Sequence, residues 1–241
     1  MFKIFQKPEY TSRYVNDIHS HLLPGIDDGV QSFDESLAIL RLLYDKGTRK
    51  IVTTPHIKSD FYPNNESDLI KIGDVLKKQV HQENIQMEVS VAAEYFLDEA
   101  LIEKLNKTPE ILLTFGDRYL LFETSFYNRP LYLNEFIFKA QSLGLKPVLA
   151  HPERYSYLYQ NLEAVHDLVQ RGVLLQLNVI SLAGFYSKQI KRFAERLINE
   201  EVIRFIGSDC HNQLQCEAIS IAMRNKHYSK VIAQPLLNYS L

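Results

Sequence analysis

The sequence holds only two cysteines in 241 residues, Cys210 and Cys216. That is too few for a disulfide scaffold and points to a reducing cytoplasm. No stretch of about eighteen uncharged apolar residues occurs, so no membrane-spanning helix is expected. Residues 1–10 lack the apolar run and small-residue cleavage site of a secretory signal. The formal charge is only −2 and no basic patch is visible, which removes any general attraction to nucleic acid or an anionic membrane. There is no linker rich in proline, glycine or serine, no low-complexity tract and no internal repeat. What remains is a chain with 46% hydrophobic residues, long enough to bury a large core.

The apolar pattern alternates between the two regular periods. Val15 and Ile18 read as the end of a first buried strand. Ser32 to Glu35 has the spacing of a capping box, and Leu37, Leu40 and Tyr44 share the helical face that follows, with Gly47 as its stop. Further strands are expected at Arg49–Thr54, Met87–Ala93, Tyr119–Phe122, Pro147–Ala150, Val173–Leu177 and Ile203–Ile206. Helices are expected at Glu66–Val80 and Glu99–Leu105, and around Phe136–Leu143, Leu162–Val169 and Ile190–Leu197. About seven strands, most followed by a helix, argue for parallel strands covered on both sides. No glycine-rich nucleotide fingerprint follows the first strand, which favours a (β/α) barrel of fewer than eight units over a doubly wound sheet. One α/β domain over residues 1–241 is the simplest account. It has an N-terminal extension at 1–13 and a C-terminal tail at 213–241 that lies on the barrel and frays at Leu241.

The residues that carry chemistry collect at strand ends. In extended backbone, residues i and i+2 point to one side, so His19 and His21 can aim both imidazoles at one point, as a metal ion requires. Asp27 and Asp28 follow on a loop broken by Pro24 and Gly25, with carboxylate oxygens suited to harder divalent ions. A bare His-x-His also occurs as two half-buried rings in a turn. Here, though, His56, Glu94, Glu123, His151 and Asp209 each stand at most a few residues past an apolar strand, and His211 shares the last loop. In a (β/α) barrel those positions converge on the C-terminal face, where active sites are built. His81, His166 and His227 fall on helices or in the tail and read as surface residues.

Asp-Ile-His-Ser-His at 17–21, Asp-Asp-Gly at 27–29, Thr-Pro-His at 54–56, Ala-His-Pro-Glu-Arg-Tyr at 150–155 and Gly-Ser-Asp-Cys-His-Asn at 207–212 together resemble the PHP (polymerase and histidinol phosphatase) superfamily. Within it the chain resembles the bacterial capsule-associated tyrosine-protein phosphatases, from about Asp17 to Asn212. The resemblance implies a distorted (β/α)7 barrel holding three divalent ions. One ion would take His19, His21, Glu94 and Asp209. A second would share Glu94 and add Glu123 and His151. A third would use Asp28, His56 and His211. Imidazoles and carboxylates without thiolate suit manganese first, or iron or zinc. Four carboxylates leave three divalent ions electropositive, which suits a phosphate dianion.

The implied activity is hydrolysis of protein phosphotyrosine by a metal-activated hydroxide, with Arg154 as a bidentate phosphate donor and Asp28 and His56 beside it in the catalytic set. The implied substrate is a bacterial tyrosine kinase controlling capsular or exopolysaccharide synthesis. Asp27 is open between a proton donor and a supporting loop residue. Relatives often carry an arginine shortly after the last motif, where this chain has Gln213 to Cys216, so a second phosphate contact is either missing or supplied by Arg129 or Lys58. Phe61 and Tyr62 could stack on a phenyl ring or pack the loop at 57–65. No arginine stands six residues after Cys210 or Cys216, which excludes a cysteine-dependent phosphatase. A small phosphomonoester such as histidinol phosphate is the alternative substrate, and a non-catalytic metal-binding docking domain is the third reading.

Overall fold

The computed structural model describes residues 16–159 and 161–241. Val15 and the extension at 1–13 lie outside them. Residues 17–21 run extended but form only two isolated parallel bridges, Asp17 to Ile51 and Ser20 to Cys210. Their backbone groups are divided between two neighbours. Thr54 N–H donates to the Ser20 carbonyl at 2.7 Å on one side, while Asp209 N–H donates to the His19 carbonyl at 2.8 Å on the other. His19 and His21 are thereby held between segments from the first and the last quarter of the chain.

Helix α1 (Phe33–Asp45) starts as its capping box requires, with Ser32 Oγ accepting the Glu35 N–H. It is followed by β1 (Lys50–Thr53), β2 (His56–Ile57), α2 (Glu66–Gln82), β3 (Glu88–Val91), β4 (Glu94–Phe96) and α3 (Glu99–Lys107). The second half alternates strictly: β5 (Tyr119–Glu123), α4 (Leu133–Ser142), β6 (Lys146–Ala150), α5 (Leu162–Gln170), β7 (Leu174–Asn178), α6 (Lys188–Asn199) and β8 (Ile203–Gly207). Helices α7 (Gln213–Ala222) and α8 (Lys226–Ile232) close the described chain. All pairings between these strands are parallel, in a two-stranded sheet β1-β3 and a six-stranded sheet β2-β4-β5-β6-β7-β8.

Two expected strands are found where expected, and beyond each of them a break is followed by a second short strand that was not expected. Pro55 has no N–H to offer a ladder and separates β1 from β2. Across from it, Ala92 and Ala93 separate β3 from β4. The breaks leave the register unchanged: Thr53 lies opposite Val91 before them and His56 opposite Glu94 after them, while Phe96 lies opposite Glu123. Glu94 therefore opens a short strand instead of standing at the end of one.

Every residue of β5 is buried, as expected of a parallel strand covered on both faces. A small apolar cluster of Ile18, Val52, Ala92, Leu121, Val148 and Phe205 lies on one side of the strands, and a larger one packs them against the helices. The C-terminus is not frayed. Asn238 is fully buried and its side-chain amide bonds both backbone groups of Ile206, at 3.0 and 2.8 Å, while Leu237 and Leu241 pack on the small cluster. His227 is buried rather than on the surface, because its ring turns inward 3.6 Å from Glu195. Among the described residues no helix is long and apolar enough to cross a membrane.

Candidate metal centre

The extended backbone at 17–21 points His19 and His21 to the same side, and a different acceptor fixes each ring. His19 Nδ1 lies 2.8 Å from Gln176 Oε1, and His21 Nδ1 lies 2.8 Å from Asp27 Oδ2. Both partners are pure acceptors, so both Nδ1 atoms carry the proton and each neutral ring presents its Nε2 lone pair. The two Nε2 atoms face each other at 3.3 Å. Glu94 Oε2 is 3.1 Å from one and 3.4 Å from the other, and Asp209 Oδ1 is 3.3 Å from both. All four residues are buried. Although Glu94 Oε2 has His19 Nε2 and His56 Nδ1 each at 3.1 Å, no N–H is aligned on it as a hydrogen bond. With each Nδ1 committed to its acceptor, the lone pair that each ring can offer to a cation is on Nε2, and both converge on one point, as a cation cage requires.

Two further groups adjoin the first. His56, Glu94 and Glu123 form one, with His151 Nε2 2.9 Å from Glu94 Oε1 and 4.0 Å from Glu123 Oε2. His21, Asp28, His56 and His211 form the other, in which Asp28 Oδ1 lies 3.3 Å from His211 Nε2 and 3.5 Å from His56 Nε2. All nine residues expected to ligate are thus brought together. His56 touches two groups through opposite ring nitrogens, and a neutral imidazole, with one lone pair, serves only one of them as ligand.

The electrostatics show how strongly the cluster demands positive charge. Burial pulls the His19 imidazole down, yet Glu94 and Asp209 more than offset it and leave it at about 9. His21 is likewise pushed well up against its burial, chiefly by Asp27. His56 goes the other way, to about 4, because burial outweighs Glu94 and the His21 charge opposes it as well. Glu123 is pushed up to about 8 by burial and by the neighbouring Glu94. Burial would also raise Asp28, but His211 and His56 hold it below the usual carboxylate range. The donor set and its charge balance fit divalent ions.

Asp27 is resolved as a supporting residue. Its carboxylate accepts from His21 Nδ1, from His56 N–H at 3.0 Å and from Gly29 N–H at 2.9 Å, so it is a saturated acceptor with no proton to give. Gly29 is needed for this packing, since a Cβ there would lie 2.3 Å from the His21 carbonyl oxygen.

Arg154 sits on a 3-10 turn, Pro152–Arg154, that follows His151 directly. Its guanidinium is stacked between the rings of Phe126 and Tyr186, 4.5 and 4.4 Å from their centroids, and donates to Asp209 Oδ2 at 2.9 Å. Asn178 and Tyr186 also donate to Oδ2, at 2.6 and 3.2 Å. Asp209 thus turns one oxygen to the imidazoles and has the other fixed by three donors. His151 and Asp209 both adopt the left-handed backbone region, at φ 33° and 51°, a strain that functional sites tolerate.

Gln176, Asn178 and Tyr186 were not legible as site residues. The available signal was an isolated glutamine inside the apolar run of β7. Arg129 is drawn off toward Asp167, 3.9 Å away, and to Asn134. Lys58 does line the cavity of about 560 Å³ over the centre, with Arg154, Phe61, Tyr62, Phe126 and Tyr127. Tyr62 stacks on His56 at 5.4 Å and so packs the loop onto the site, while Phe61 is 68% exposed. Cys210 is buried, and its thiol donates to the Asn212 carbonyl at 3.3 Å.

A family of proteins described as "Capsular polysaccharide synthesis, CpsB/CapC" matches residues 15–234. The tyrosine-protein phosphatase YwqE of Bacillus subtilis is 34% identical over 197 residues, covering 81% of this chain and 77% of the relative. The solved structures described as YwqE from Bacillus subtilis and CpsB from Streptococcus pneumoniae, "unique metal-dependent tyrosine phosphatases", include a chain that superposes with a TM-score of 0.78 at 28% identity, over 91% of this chain and 95% of that one. Histidinol phosphate phosphatase from Lactococcus lactis shares the fold at a TM-score of 0.53 and 12% identity, over 87% of this chain and 92% of its own.

Proposed function

The chain belongs to the CpsB/CapC family of capsular polysaccharide synthesis, and from that premise we propose that it is a metal-dependent protein-tyrosine phosphatase. The observation that carries this reading is the pair of imidazole Nε2 atoms facing each other at 3.3 Å between two buried carboxylates. It lies beneath a cavity lined by Asp209, Glu123 and a charged arginine.

His19, His21, Glu94 and Asp209 hold the first of three divalent ions, manganese by preference. Glu94, Glu123 and His151 hold the second, and Asp28, His56 and His211 the third. When bound, such ions supply Lewis acidity, lowering the pKa of a water and spreading the charge of the phosphoryl oxygens. The stretch at 17–21, bonded on one side to β1 and on the other to the end of β8, is the stave that closes a seven-unit barrel and keeps these ligands in one face.

Arg154 binds the phosphoryl oxygens through the donors that Asp209 leaves free. Its two flanking rings limit it to one plane, which suits bidentate binding. A tyrosine leaving group has a solution pKa near about 10, so its departure needs less help from a general acid than an alkoxide does. Asp27, saturated with donors, orients His21 instead of supplying that proton. The cytoplasm and a bacterial tyrosine kinase of the capsule pathway are the location and substrate that fit this activity.

The test is phosphate release from a phosphotyrosine peptide, beside histidinol phosphate, by metal-stripped protein refilled with manganese, iron or zinc. Metal-dependent peptide turnover should fall about a hundredfold or more in Arg154→Ala and be lost in His56→Ala. Turnover of histidinol phosphate alone would overturn the substrate. Full metal loading without turnover of either would overturn the enzyme.

A further inference from the structure

Two cations line the cavity above the centre, and both are held between pairs of aromatic rings. Arg154 lies between Phe126 and Tyr186. The Lys58 ammonium lies 4.1 Å from the centroid of Phe96 and 4.7 Å from that of Phe61. The two differ in one respect. Arg154 is ion-paired to Asp209, whereas among the described residues Lys58 has no carboxylate within ion-pair distance. Aromatic faces hold a cation without neutralising it, which leaves its full charge available to an incoming anion.

The backbone beneath Lys58 is rigid. Its N–H donates to the Tyr62 carbonyl at 2.9 Å and its carbonyl accepts the Tyr62 N–H at 2.8 Å, closing a tight loop. Tyr62 then stacks on His56 with the rings 9° from parallel, so the loop is tied to the centre itself. In the six-stranded sheet Lys58 follows β2 and Arg154 follows β6, with β4 and β5 between. Three inter-strand steps of about 4.8 Å separate their staves, and Glu123 ends β5 between them. Lys58, Glu123 and Arg154 all line the same cavity.

We propose that Lys58 is the second cation that binds the substrate's phosphoryl group, facing Arg154 across the space above Glu123. This role rests on the phosphatase reading and names the residue that completes its phosphate site. A dianionic phosphomonoester met by two separate cations is bound more tightly than a singly charged group of the same shape, and Lys58 contributes that selectivity.

The experiment uses the metal-loaded full chain, with inorganic phosphate and a phosphotyrosine peptide as probes. Lys58→Met keeps the apolar stem between the rings and removes the charge, while Lys58→Arg keeps the charge. Lys58→Met should raise both the Kd for inorganic phosphate, measured by titration calorimetry, and the KM for the peptide by about tenfold to a hundredfold, with metal content unchanged. Lys58→Arg should stay within about threefold of the unmodified protein, and the salt dependence of kcat/KM should flatten only in Lys58→Met. Phosphate affinity equal in Lys58→Met and the unmodified protein would overturn the proposal, as would a loss of affinity explained by lost metal. Phosphate binding that depends on Lys58, without peptide turnover, would overturn the tyrosine phosphatase and leave the phosphate site standing.

Discussion

At the scale of single residues, the centre depends on atoms that never touch substrate. Gln176 and Asp27 decide which nitrogen of His19 and His21 is protonated, and so turn both Nε2 lone pairs inward. A histidine whose other nitrogen could pick up either partner would spend part of its time in the wrong tautomer. Asp27→Asn should therefore lower divalent-ion affinity about tenfold to a hundredfold with little loss of fold. Asparagine keeps the shape but can offer an N–H where the ring needs an acceptor. Competition against a fluorescent chelator measures this directly, and unchanged affinity would mean that Asp27 only packs.

At the scale of elements, short connections set the geometry more than the strands do. Pro55 and the Ala92–Ala93 step interrupt two strands, and the parallel register carried across the interruption pairs His56 with Glu94. The Lys58–Tyr62 loop is stacked onto that same histidine. Gly207, at the end of β8, leaves room for His19, since a Cβ there would lie 2.6 Å from the His19 Cβ. On the same strand the C-terminal turn at Leu237–Ser240 presses Asn238 against Ile206. Asn238→Ala would leave the buried Ile206 N–H and C=O unpaired, an expected cost of about 2 kcal/mol. Urea denaturation should show the midpoint falling without a change in slope. A midpoint within error of the unmodified protein would mean that the C-terminus contributes no stability.

At the scale of the whole molecule, stability and metal are linked. Five buried acidic or imidazole groups, His19, His21, Glu94, His151 and Asp209, are at most 1% exposed, so an ion that binds among them binds the folded chain and not the unfolded one. Ion at a hundred times its Kd adds about 2.7 kcal/mol. Chelation should thus lower Tm by at least about 5 °C in a chain of this size, as differential scanning calorimetry would read.

The pH dependence has a definite sign. In metal-stripped protein Glu123, near 8, and His19, near 9, both titrate above their ordinary values of 4.5 and 6.5. The stability they contribute is complete below those ordinary values and lost as pH rises through about 8 and 9. Stripped protein should lose Tm between pH 7 and 9, whereas loaded protein should not. Metal affinity should rise over the same interval, because below pH 8 the ion must displace a proton from Glu123. A flat Tm in the stripped protein would contradict this account.

The sequence by itself determined the order of helices and strands and the identity of the nine converging acid and imidazole groups. Hydrophobic period and capping residues are local, as at Ser32, and a donor such as His19 or Asp209 is recognisable by its type and its place after an apolar run. The family resemblance extended this to the activity. Only the tertiary structure decided the tautomers, the role of Asp27, the burial of His227, the docking of Asn238 and which of Arg129 and Lys58 lines the cavity. Each of these depends on which residues distant in the chain meet, such as His19 with Gln176 or Ile206 with Asn238. Local periodicity carries no information about such pairs. The strand breaks at Pro55 and at Ala92–Ala93 lie between the two cases: the proline was legible, but the pairing of His56 with Glu94 beyond it exists only once the strands meet.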